Sequence, residues 1–578
     1  MPAKIQKESV HSLRPWIQIQ NEHAINTSFC QSYTHSCYQI LTHIQIKWTK
    51  IRKFAVIQNR LRIHLHVIQF SPKHYYIIIY SKMQYSILTA DEAAAIINHG
   101  DTVGIGGFSS VGTPKSVPLA LAARARQYHE SGKPFKIGLI TGGATGGQID
   151  SALAQADAVS FRTPFQSNKD MRAAINEGRT RYFDLHLSQV GQDVRYGFLG
   201  KVNVAIIEAS DITSEGEIVP SISIGIAPSL VKMADKVIIE LNEAHRGKLR
   251  GMHDIYIPST PPRRTPIPLF FVNDRIGVDV IRVDPRKVVG VVMTNERDHI
   301  APFTPMTEVT QKIGENVASF LLSEWRRGGI PADFLPLQSG VGNVANAVLG
   351  ALGSEPLLPA LSMYTEVIQN SVIELMQQGR IRFATGSSLT LSNDHLNQIY
   401  DNLDFFHTRI LLRSQEITNH PELVRRLGVI AINTALEADI FGNVNSTHVL
   451  GTKMMNGIGG SADFARNAYL SIFTTPSTAK NGLISSIVTN VSHVDSSEHS
   501  VRVLVTEQGV ADLRAKSPIE RAHCIIENCA HPDYKQLLWD YLKLSEGKGL
   551  HTPTSLRNAF QMHLAFAETG DMHNTRFI

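Results

Sequence analysis

Short runs of consecutive apolar residues, rich in Val and Ile, recur along this chain between amphipathic stretches. "TVGIGGF" (102–108), "FKIGLITGG" (135–143), "VNVAIIEAS" (202–210), "ADKVIIELN" (234–242) and "RKVVGVVMT" (286–294) have strand length and little polar alternation. The stretches between them carry helical spacing, as in "PLALAARARQYHESG" (118–132). Continuous apolar strands that alternate with amphipathic helices predict a mostly parallel sheet covered on both faces. The series opens at Thr89 and Glu92, which have capping-box spacing, with a helix expected to run to Gly100.

The texture changes between 255 and 310, where "IYIPSTPPRRTPIP" and "TNERDHIAPFTPM" are rich in Pro and polar residues. The rhythm then restarts with "MTEVTQKIGENVASFLLSEWRRG" (306–328), "IRFATGSSLT" (381–390), "TRILLRS" (408–414), "LGVIAINTALEADIFG" (427–442) and "HSVRVLVTEQGVADL" (499–513). The expected organisation is two tandem α/β domains, 83–305 and 306–578, with a cleft between them where pockets tend to form.

Composition separates the first 82 residues from this body. They hold 11 Lys or Arg against Glu8 and Glu22, with no Gly and no Asp, and show neither helical nor alternating period. Beyond them 45 Lys and Arg face 49 acids, so the +5 charge of the 578-residue chain is not that of its body. A mildly acidic body argues against polyanion partners, and a nucleic-acid reading rests on that first segment alone. The segment reads as a stretch upstream of a natural start at Met83, doubtful as structure. A mitochondrial presequence and a real appended region are the alternatives. No apolar run reaches the roughly 18 residues a membrane helix needs. Cys524 and Cys529 in "HCIIENC" lack a second ligand pair, so neither a zinc site nor a disulfide framework is expected.

Few motifs carry recognisable chemistry alone. "GIGGF" and "TGGATGGQ" break the dinucleotide fingerprint, and G-x-x-x-x-G-K-[ST] and G-x-S-x-G do not occur. His493, Asp495, Glu498 and His499 match no common metal-ligand spacing. In "SGVGNVANAVLGALG" (339–353), Gly340 and Gly342 precede a helix whose first amides could bind an anion. "MMNGIGGSADFARNAYLSIF" (454–473) packs Gly457, Gly459 and Gly460 as an oxyanion site would, by supplying amides from backbone with unusual torsions. Glu366 in "MYTEVIQN" stands at the expected start of a helix through "VIQNSVIELMQQG". There the helix dipole favours an acid by about 0.3–1 kcal/mol, so a purely structural role is a complete explanation of it in isolation.

Taken together, "MYTEVIQN", "SGVGNVANAV", "SQEITNHPELVRRLGVIAINTALE", "GNVNSTHV", "MMNGIGGSADFARNAYLSIF" and "SHVDSSEHSVRVLVTEQGVADLR" resemble the acetyl-CoA hydrolase/transferase family, and within it the succinate CoA-transferases. The likeness runs from about Met83 to the C-terminus and includes "GTPKSVPLALAARA". It implies two tandem CoA-transferase-type α/β domains, a homodimer, no permanently bound cofactor or metal, and coenzyme A thioesters and small carboxylic acids as substrates. It implies that Glu366 is the nucleophile, that Gly460 donates to the oxyanion, and that Asn419 holds the small acid. Gly340, Val341, Gly342, Asn343, Val344, Ala345, Leu436, Asn456, Gly460 and Lys480 would contact CoA. The nucleophile should be ionised at neutral pH if its site does not strongly raise its pKa. Ala462, Ser414 and Ser496 depart from the family pattern, and Ala462 would restrict the oxyanion loop. Hydrolysis through the same glutamate is the alternative to transfer. A non-catalytic CoA sensor, expected to lack Glu366, is a more distant one. A cytoplasmic location is expected, with the mitochondrial matrix as the alternative.

Overall fold

The computed structural model describes residues 65–69, 75–79, 85–300, 306–340, 342–547 and 549–578. It divides into two compact units, Met1–Met83 and Gln84–Ile578. In the first, strands Leu65–Gln69 and Tyr75–Ile79 pair antiparallel, although the sequence there shows no alternating period. The remainder of that unit lies outside the described residues.

The second unit holds two nine-stranded sheets. In the first, parallel strands run in the order Val288–Thr294, Lys236–Asn242, Val204–Ile212, Thr102–Ile105, Ile137–Thr141, Val159–Thr163 and Arg181–Tyr182. Glu217–Pro220 and Ile281–Arg282 extend it antiparallel. Its central strands bury nearly every side chain, among them Val103, Ile105, Leu139, Ile206 and Ile238, as continuous apolar runs require. Thr89 and Glu92 form the expected capping box, but the helix spans only Ala90–Ala95, and the chain turns before Gly100.

The second sheet runs His253–Asp254, Ile410–Arg413, Ile381–Gly386, Leu361–Tyr364, Leu337–Ser339, Ile430–Thr434, Leu470–Thr474, Val503–Thr506 and Gly509–Asp512. All neighbours are parallel except the last hairpin. Its edge strand, His253–Asp254, comes from the first half of the chain. Ile267 and Leu269 of the Pro-rich segment also pack with Tyr364, Ile417 and Leu423 of the second half. The two halves are thus interlocked before the chain reaches residue 300.

Glu366 does not begin a helix. Leu361–Tyr364 is an interior strand, Val367–Ile368 pairs with Ser388–Leu389, and the helix starts only at Asn370. Ile368, expected on that helix's apolar face, lies instead in the short strand. With no acid in the helix's first turn, dipole stabilisation no longer accounts for Glu366.

Candidate active site

Glu366 follows the C-terminal end of a parallel strand, and open α/β sheets bind ligands in the crevice beyond those ends. Its backbone is fixed on that edge. The Glu366 carbonyl accepts from Ser387 N at 2.7 Å and Ser388 N at 3.2 Å, and Thr365 Oγ1 donates to Ser339 O at 3.1 Å. Three residues on, Gln369 binds the glycine loop from both sides: Gly342 N donates to Oε1 at 3.2 Å, and Nε2 donates to Gly340 O at 2.9 Å. The side chains of Thr365 and Gln369, which flank the nucleophile candidate, therefore tie its segment to Ser339, Gly340 and Gly342.

Asn419 approaches Glu366 from the next layer, its Nδ2 donating to Glu366 Oε1. Its Oδ1 accepts from Thr418 Oγ1 at 2.8 Å. Asn419 caps the helical turn Gln415–Thr418, and that turn is fastened by the first half of the chain. Gln415 N donates to Gly225 O at 3.1 Å and Gln415 Nε2 to Leu187 O at 3.0 Å. Arg195 grips Glu416 through two bonds of 2.7 Å, with side chains 3% and 4% exposed. A bidentate pair buried this deeply fixes geometry more surely than it adds stability.

The third member is Gly460. A methyl group on its Cα would fall on the Glu366 carboxylate and the Asn419 amide. Its φ of −92° is one any residue adopts, so glycine is required here for space rather than torsion. Gly459, at φ 59°, is the residue that needs the unusual torsion. The loop is seated on the first half: Ile458 N donates to Asp184 Oδ2 at 2.8 Å, and a methyl on Gly457 would meet Tyr182 and Pro164. Gly460 caps the helix Ser461–Asn467, in which Ala462 sits without a positive φ.

Burial raises the Glu366 carboxyl to about 7; the Asn419 bond opposes the rise and nearby Asp463 adds to it. Ionisation at neutral pH is expected on the condition that the site does not strongly raise the acid, and burial here does raise it. Packing around the strand end removes water from the acid, and one amide bond does not replace it. Asp463, buried five residues along the chain from Ile458, was not singled out by the sequence. It accepts from Ser188 N at 2.9 Å and Ser188 Oγ at 2.6 Å.

The remaining sequence-derived positions fall at different distances from this centre. Gly340, Asn343, Val344 and Ala345, with Thr310, Ile432, Thr434 and Thr474, line an open cavity of about 250 Å³ along the same sheet edge. Gly342, at φ 122°, caps the helix Asn343–Gly353. Val341 lies outside the described residues. Leu436 is 37% exposed and its N–H donates to Asn445 O at 2.9 Å. Asn456 has a buried Oδ1 without a hydrogen-bond partner, in the loop that leads to Gly460. Lys480 occupies a positive-φ turn with its ammonium 4.8 Å from the centre of the Phe566 ring.

The histidine-rich "SHVDSSEH" segment forms local pairs, His493 with Asp495 at 3.3 Å and His499 with Glu498 at 3.8 Å. Among the described residues, the grouping with metal-ligand proximity is Glu208, His245 and Asp298. The Lys115 ammonium already bonds two of them, Glu208 at 2.5 Å and Asp298 at 3.0 Å, so a cation is built into that cluster. Among the described residues, no helix is long and apolar enough to cross a membrane.

Comparison with known proteins shows the family. Residues 73–293 match the acetyl-CoA hydrolase/transferase N-terminal domain, and residues 396–542 match the corresponding C-terminal domain. The chain is 50% identical over 489 residues to the propanoyl-CoA:succinate CoA transferase of Escherichia coli, covering 85% of this chain and 99% of that one. It is 44% identical over 502 residues to the acetyl-CoA hydrolase of Candida glabrata, covering 84% and 95%. The crystal structure of a 4-hydroxybutyrate CoA-transferase from Porphyromonas gingivalis shares the fold, with a TM-score of 0.54 at 21% identity over 79% of this chain and 97% of that one. The chain therefore belongs to the acetyl-CoA hydrolase/transferase family, as an enzyme of CoA transfer or acetyl-CoA hydrolysis.

Proposed function

We propose that the protein is a CoA-transferase that exchanges CoA between an acyl-CoA, such as acetyl-, propionyl- or succinyl-CoA, and a small carboxylic acid, with Glu366 as covalent nucleophile. The contact that carries this reading is the Glu366 carboxylate held between the Asn419 amide and the bare Cα of Gly460. A thioester carbonyl brought to that carboxylate lies at the start of a helix, where the Gly460 amide region can receive developing negative charge.

The chemistry balances without ATP. The Glu366 carboxylate attacks the thioester carbonyl; the C–S bond breaks, leaving an acyl-glutamyl anhydride and CoA thiolate. The thiolate attacks the glutamyl carbonyl, forming the enzyme–CoA thioester and expelling the first acid as its carboxylate. An acceptor carboxylate then attacks that thioester, regenerating an anhydride and thiolate. Thiolate attack on the new acyl carbonyl releases the product thioester and restores Glu366. Each step divides a difficult exchange into easier ones, and the kinetics are ping-pong.

In this reading Asn419 orients first Glu366 and then the small acid, and the Gly340–Ala345 loop, Leu436, Asn456 and Lys480 bind CoA. The cavity beside that loop and its hydrogen bonds to Gln369 support the placement of the loop. The Lys480 assignment rests on the resemblance alone. So does the homodimer, while the two-domain division at 305 rests on the change of texture between 255 and 310.

Hydrolysis is the second reading. Water in place of the acceptor acid would cleave the glutamyl thioester to CoA and free Glu366. Asn419 favours transfer, because a hydrolase has no need to hold a second carboxylic acid. Purified protein given acetyl-CoA and succinate should form succinyl-CoA at a rate far above thiol release without succinate. Thiol release without succinate as fast as acetyl-CoA is consumed with it, and no succinyl-CoA formed, would make it a hydrolase.

A further inference from the structure

We propose that Asp463 is a positioning residue for this reaction: clamped by Ser188 from the first half of the chain, it aligns Asn419 and sets a like charge against the free carboxylate of Glu366. The inference rests on Glu366 being the nucleophile, and the test below separates the two.

The helix Ser461–Asn467 brings two things to Glu366 at once. Its cap, Gly460, lies against the carboxylate, and its first turn carries Asp463, which is 5% exposed. Ser188 belongs to the helix Leu187–Tyr196, 275 residues away in sequence, and donates both its amide and its hydroxyl to Asp463. His186 stands just before it, with Nδ1 4.0 Å from Asp463 Oδ1. The Asn419 amide favours the ionised form of both acids. Among the described residues, Asp463 is the charged group that bears on Glu366, and His186 is the one that bears on Asp463.

Burial pushes the Asp463 carboxyl up to about 6 and the two Ser188 bonds oppose that rise, so Asp463 is already charged where Glu366 ionises, near 7; an asparagine could satisfy the same Ser188 hydroxyl without the charge. The charge has a consequence specific to this chemistry. Repulsion between the two acids exists only while Glu366 is a free carboxylate. The anhydride and the CoA thioester are neutral at that position, so acylation relieves the repulsion. Asp463 thereby raises the free nucleophile relative to its covalent states and makes it a stronger base. Because Ser188 supplies the clamp, the first half of the chain must be seated for the effect to operate.

The test uses the full-length protein carrying Asp463→Asn, with Asp463→Ser as a second neutral variant should the first not accumulate, and Asp463→Glu as the charge-preserving control. Two quantities are read: the pH midpoint of kcat/KM for acetyl-CoA with succinate, and the fraction of enzyme trapped by borohydride as the CoA thioester at a fixed acetyl-CoA to acetate ratio. The neutral variants should move the midpoint to lower pH and reduce the trapped fraction at high pH severalfold. Glutamate should retain the wild-type midpoint even where the rate falls. Neutral variants that keep the wild-type midpoint and trapped fraction, with label still on Glu366, overturn the role of Asp463 while leaving the nucleophile in place. Wild-type protein that takes no label at Glu366 overturns both.

Discussion

The carboxylate of Glu366 and the Cα of Gly460 are in contact, with no room between them for a side-chain atom. That contact predicts the consequence of the smallest possible change. Gly460→Ala should leave the protein folded, since the residue's φ of −92° suits alanine, yet force Glu366 and Asn419 apart. Activity should fall about a hundredfold or more, the scale associated with losing one oxyanion donor. Steady-state kinetics beside a circular-dichroism melt would check it, and an active Gly460→Ala protein would show that the contact is dispensable.

The raised Glu366 acid predicts a pH dependence. Attack needs the carboxylate, and burial places its proton affinity at about 7, so kcat/KM for the acyl-CoA should climb through pH 7 and level above it. Asn419→Ala removes the bond that favours the charged form and should shift the midpoint upward. Displacement in that direction is opposite to the one expected on neutralising Asp463.

The same shift bears on stability. A carboxyl raised in the folded state from 4.5 to about 7 contributes stability that is fully present below pH 4.5 and is lost as pH rises through 7. Glu366→Gln carries no such loss. The variant should be inactive yet more stable than the parent at pH 8, by about 2–3 kcal/mol, with the difference vanishing near pH 4. Denaturant melts at the two pH values would decide it.

Arg195 tests the dependence of the site on both halves of the chain. Arg195→Ala strands the buried Glu416 without its partner, which should cost about 3–5 kcal/mol and loosen the turn that carries Asn419. Loss of stability accompanied by loss of activity is expected. Unchanged thermal stability would mean that water or Arg264, 3.8 Å from Glu416, takes over the charge.

The sequence shows the framework of this site unevenly. The Val- and Ile-rich strands are visible because burial on both faces leaves no polar alternation, whereas the strand leading to Glu366, Leu361–Tyr364, holds neither Val nor Ile and is buried all the same. Glu366, Asn419 and Gly460 are identified by resemblance, whereas their mutual contact is a tertiary fact. The helix expected to begin at Glu366 starts four residues later, since a local pattern does not reveal that Val367 and Ile368 pair with Ser388 and Leu389. His253–Asp254 is too short to have a period, so its crossing into the second sheet leaves no trace in the text. Asp463 stands in a quoted motif, but its partner Ser188 is 275 residues distant and nothing local links them. The acidity of Glu366 stays open in the sequence for the same reason, because desolvation is set by what packs around the strand end.

The most direct measurement is covalent trapping. Protein incubated with acetyl-CoA alone, reduced with borohydride and mapped by mass spectrometry should carry the reduced side chain on the peptide containing Glu366, and Glu366→Gln should carry none. Turnover of acetyl-CoA with Glu366 unmodified, or with label on another residue, would contradict a glutamyl intermediate and with it the proposed mechanism.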